Sequence, residues 1–151
     1  MPGPIHAFLR GDGCDGRRRL LADVLAFDDG RIEAVHDFIQ WLFPLPEASR
    51  AVPGSPVLAD AEAAAIRADP RALAGLRSGL ARMTLFYVET DGWLVSLDHN
   101  HLRITRIIAA VRNLLGREEA AALHAVVAAR DAAAGTRVNR GSLHHWIRAL
   151  S

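Results

Sequence analysis

Lysine is absent from the 151 residues; all 18 Lys+Arg positions are arginine. Chemistry that needs an amine nucleophile, such as a Schiff base or a pyridoxal anchor, is therefore excluded, and so is the lysine of a phosphate loop. Cysteine is nearly absent as well. Cys14 stands alone, so neither an intrachain disulfide nor a multi-thiolate zinc site can staple the fold, which must rest on its apolar core. Long hydrophobic runs are missing: stretches such as 107–111 fall far short of the roughly 20 residues a membrane span requires. The start of the chain shows no basic stretch followed by an apolar run, so the expectation is a cytoplasmic protein without a secretory signal. Excess charge is lacking too. A formal net charge of +1 argues against a nucleic-acid surface, and the one basic run, Arg17-Arg18-Arg19, reads as a solvated helix start. No Gly-x-Ser-x-Gly elbow is present, and Cys14 sits in a glycine-rich stretch without an evident base, so a hydrolase nucleophile is not indicated.

Period-two alternation is confined to 93–97, whereas alanine is abundant in blocks such as 61–65, 120–122 and 132–134. Alanine is the best helix former, so the expected fold is all-α. The pattern predicts helices near 16–27, 31–43, 60–68, 71–88, 98–115, 118–134 and 142–150. These would form a single-domain bundle of six or seven helices over 1–151, with 1–15 a candidate mobile start. Half of the residues are hydrophobic, enough for one core in a chain of this length. The segment 44–56 carries four prolines and Gly54, cannot continue a helix, and is expected to cross over as an extended strap. Pro70 suits the first turn of the helix that follows it.

Two predicted helices break the amphipathic rule. On 31–43, Ile32, Val35, Phe38, Ile39, Leu42 and Phe43 share one arc while Trp41 lies opposite, which predicts a central helix buried on two faces. His36 and Gln40 sit one turn apart on its flank. On the helix after Asp98, the arc of Ile104, Ile107, Ile108, Val111, Leu114 and Leu115 has Asn100 in its middle and Arg103 at its edge, provided that Asp98 is the N-cap. A buried amide needs a partner, and Gln40, His36 or a ligand are the candidates. His99 and His101 flank Asn100, but residues two apart diverge by roughly 200° on a helix, which argues against a metal site. No cofactor is implied. His144 and His145 beside Trp146 read as a helix surface next to a packing tryptophan.

The run His36-Asp37-Phe38-Ile39-Gln40-Trp41-Leu42-Phe43-Pro44-Leu45, then Trp93, then His99-Asn100-His101-Leu102-Arg103-Ile104-Thr105-Arg106-Ile107, resembles the conserved domain of the opioid growth factor receptor family. Weaker similarity extends from Ala7-Phe8 to the Trp146 helix. Position 101 is His where animal members tend to have Asn, and the lysine-free, alanine- and arginine-rich composition points to a bacterial member. Animal members are receptors for an enkephalin peptide. The resemblance thus implies a helical, non-catalytic module that binds a peptide or small ligand, with His36, Gln40, Trp41, Trp93, His99, Asn100, Arg103 and Arg106 as candidate ligand-binding residues. Two other readings remain open from the residues: a small enzyme using a His/Asn/Arg cluster, and a structural domain for protein interaction.

Overall fold

The computed structural model describes residues 2–151. Among these it contains nine α-helices and no strand: α1 (Pro4–Arg10), α2 (Leu21–Leu25), α3 (Asp29–Ala34), α4 (Ile39–Leu42), α5 (Asp60–Arg67), α6 (Pro70–Glu89), α7 (His99–Leu114), α8 (Arg117–Ala133) and α9 (Arg140–Leu150). The protein is all-α, with more helices than the six or seven expected. No described helix is long and apolar enough to cross a membrane. The chain divides into two compact units, one ending at Gly79 and the other running from Leu80 to Ser151, so the division falls inside α6.

In the first unit the extra helices come from two places. Before residue 16 the sequence reading placed no helix, yet α1 forms with Pro4 in its first turn and Gly11, at φ +86°, closing it in the left-handed conformation. Ile5, Phe8 and Leu9 are fully buried on it. The predicted helix 31–43 is broken in two, because Val35 adopts an extended backbone and ends α3. Asp37, within the break, accepts hydrogen bonds from Arg19 (2.8 Å) and Arg17 (2.9 Å), and Phe38 packs edge-on against Phe27 at 5.4 Å. Val35, His36 and Asp37 are weak helix formers, and these contacts hold the chain in its non-helical course. Residues 16–20 are likewise not helical. Asp15 accepts the backbone N–H groups of Arg17 and Arg19 and the Arg19 side chain, while Arg18 takes φ +60°.

Helix α6 approaches α1 and α4 through glycines. A Cβ on Gly75 would lie 1.9 Å from the Leu9 carbonyl oxygen, and one on Gly79 would lie 2.5 Å from Leu42 Cδ1. At Gly75 the obstacle is main chain, so only hydrogen permits that approach; at Gly79 it is the Leu42 side chain. His6 joins them with a side-chain bond to Asp69 (2.7 Å), and Asp69 also accepts from Arg10 (2.6 Å). The strap before α5 has no regular structure; Leu58 N–H donates to the Leu45 carbonyl across it.

The second unit is built on α7, which packs against α8 and α9. Gly116, at φ +118°, turns the chain from α7 into α8. Between α6 and α7, residues 93–97 form turns rather than the strand their alternation suggests. A chain of aromatic rings fills the unit: Tyr87 meets Trp93 at 5.4 Å, and Trp93 meets Trp146 at 6.4 Å. Both indoles are satisfied, Trp93 Nε1 donating to the Thr90 carbonyl and Trp146 Nε1 to the His101 carbonyl.

Candidate functional site

Three of the sequence-derived candidates, His36, Gln40 and Trp41, belong to the first unit. His36 is exposed in the break between α3 and α4. Gln40 is 5% exposed, and its Oε1 has no hydrogen-bond partner among the described residues. Trp41 is half-buried rather than packed between two layers, because α4 spans only four residues; it meets the edge of Phe8 at 5.9 Å. The nearby charges are paired. Burial pushes the Asp37 carboxyl up, but hydrogen bonds from Arg19 and Arg17 outweigh it and hold the group below its ordinary value.

The other five lie in the second unit. Trp93 is buried. Asp98 is the N-cap of α7, its Oδ1 accepting the Asn100 N–H at 2.9 Å, and this start of the helix turns Asn100 inward to 1% exposure. A partner that the sequence did not single out, Tyr87, donates its hydroxyl to Asn100 Oδ1 at 3.1 Å. Arg103 is buried and Arg106 half-buried. His99 is exposed, its Nδ1 3.8 Å from the Asp98 carboxylate.

A cleft of about 570 Å³ opens where α7 and α9 begin. Its wall includes Leu97, His99, His101, Leu102, Ser142 and His145. Leu97 is 80% exposed and Leu102 67%. His101 is 3% exposed, and its Nε2 lies 2.8 Å from the Trp93 carbonyl, an acceptor only, so Nε2 carries the proton in the neutral ring. That tautomer leaves Nδ1 as an acceptor, and it has no partner among the described residues. Asn139 caps α9 by accepting the Ser142 N–H (2.8 Å), and its amide donates to Ser142 Oγ (2.9 Å) and the Ser96 carbonyl. The cap thereby ties the loop before α7 to the start of α9.

Of these wall residues, sequence reasoning selected His99 alone as a binding candidate. Leu102 carried a visible signal, because it sits inside the His-Asn-His-Leu-Arg run but off the apolar arc of its helix. Leu97, Ser142 and His145 come together only through packing. A smaller cleft, about 350 Å³, includes Arg130 and Arg137. Those guanidinium groups are engaged with main-chain carbonyls: Arg130 with Tyr87 and Thr90, Arg137 with Ala134. They serve as caps on helix ends. Neither family models, nor curated proteins, nor solved structures give a match to this chain.

Proposed function

We propose that the chain is an opioid growth factor receptor-like domain, a non-catalytic module that binds a peptide or small ligand, and that its site is the cleft at the starts of α7 and α9. One observation carries this reading: two leucines mostly in water, Leu97 and Leu102, stand in the same cleft as His99, His101 and Ser142. An apolar wall with a few convergent polar groups is the usual make-up of a ligand site, and the volume falls in the range of roughly 300–1,000 Å³ common for such sites. Two of the imidazoles belong to the motif on which the family resemblance rests. A nucleophile poised beside a base does not occur in this wall, and binding accounts for its residues without a reaction.

Nuclear magnetic resonance titration with short leucine-containing peptides tests the proposal. Amide shifts concentrated at Leu97, His99, Leu102 and Ser142, and lost in Leu97→Asp, are the expected result. Shifts absent from these residues at millimolar peptide would overturn it.

A further inference from the structure

We infer that the smaller cleft, at the ends of α6 and α8, binds a small free amino acid as its zwitterion. The wall holds charges of both signs, Asp91 as well as Arg130 and Arg137, together with the apolar surface of Leu94, Ala133 and Ala134. Among the described residues these three charged groups form no ion pair, whether with one another or with any other side chain. A simple anion would meet Asp91 and a simple cation would meet the arginines, whereas a ligand carrying both charges answers both signs. The cleft shares no residue with the one at the starts of α7 and α9, so the inference does not depend on that site.

Both arginines are oriented in advance. Arg130 donates through Nε to the Tyr87 carbonyl (3.2 Å) and through Nη2 to the Thr90 carbonyl (2.6 Å), and Arg137 donates through Nε to the Ala134 carbonyl (3.1 Å). Carbonyl acceptors are neutral, so these bonds fix the guanidinium planes without cancelling their charge. Nη1 of Arg130 and both Nη atoms of Arg137 are left to donate, and a carboxylate is the acceptor that fits them. The main chain holds Arg137 in this place. Thr136 takes φ +59° after Gly135 at φ +93°, and the buried Asp131 closes the turn by accepting the N–H groups of Arg137 (2.8 Å) and Val138 (2.9 Å). A β-branched residue rarely adopts that conformation, and such strain gathers at binding sites. The ammonium group falls to Asp91, just past the end of α6, where the helix dipole also favours positive charge. A volume of about 350 Å³ suits a ligand of this size.

Amide-shift titration of the full chain tests this with L-valine, with N-acetyl-valine, which lacks the ammonium group, and with valinamide, which lacks the carboxylate. Valine should shift the amides of Leu94, Ala134 and Arg137, and each of the other two should bind about tenfold more weakly. Two variants at exposed positions separate the roles of the charges. Arg137→Gln should weaken valine severalfold and leave valinamide unchanged, and Asp91→Asn should weaken valine and leave N-acetyl-valine unchanged. Valine without effect on these amides at millimolar concentration would overturn the inference. N-acetyl-valine binding as tightly as valine would overturn the zwitterion in favour of a simple anion, and valinamide doing so would overturn it in favour of a simple cation.

Discussion

Asn100 illustrates what a single buried polar residue requires. Its amide lies within the core of the second unit and accepts from Tyr87, so the pair is part of the packing whatever else Asn100 does. Tyr87→Phe should cost about 1–2 kcal/mol, the loss expected when a buried acceptor is deprived of its donor, as read by urea unfolding. Asp69 makes a different kind of demand. Hydrogen bonds from His6 and then Arg10 hold its carboxyl far below the usual carboxylate range. A depressed folded-state value means that the contribution is fully present above the unfolded-state value, roughly pH 4, and is lost as pH falls toward the folded-state value. Asp12 and Asp37 are lowered in the same direction by their arginines. The expected outcome is a wild-type unfolding midpoint that declines steeply below about pH 4, and a shallower decline in Asp69→Asn. Equal slopes would show that the His6–Asp69–Arg10 cluster contributes nothing.

Among the elements, α6 is the one whose sequence is most constrained by its neighbours. Alanine at position 75 would drive its Cβ into the Leu9 main chain, which cannot move without dislodging α1, whereas at position 79 it would meet the buried Leu42 side chain, which can shift its rotamer. Gly75→Ala should therefore destabilise by about 3 kcal/mol despite the better helix propensity of alanine, and Gly79→Ala by less, about 1–2 kcal/mol. Thermal or urea unfolding of the two variants decides it, and the reverse order would mean that α1 does not sit against Gly75. Elements with strong local signals were legible in advance. The starts of α6 at Pro70 and of α7 after Asp98 follow from proline and cap chemistry, and the long helices from 60 onward end within two residues of their expected bounds. The break at Val35 was not legible. The contacts that hold the chain beyond it, Arg17 and Arg19 on Asp37 and Phe27 on Phe38, come from residues eleven to twenty positions away that no local pattern connects.

For the molecule as a whole, far-UV circular dichroism should be dominated by helix, and strand as the main component would contradict the all-α fold. The absence of lysine and of a second cysteine settled which chemistries are impossible, and alanine content with a 3.6-residue period settled the fold class, because both are properties of the chain that packing cannot alter. The inward turn of Asn100 was also determined locally, by the cap at Asp98. The tertiary structure alone decided that α1 is buried, that Tyr87 meets Asn100, and that His99 and Leu102 share a cleft with Ser142 and His145 some forty residues later. Those outcomes depend on which side chains come together from distant positions. Periodicity reports which face of a helix is apolar; what that face or its opposite meets is set by the packing of α7 against α9.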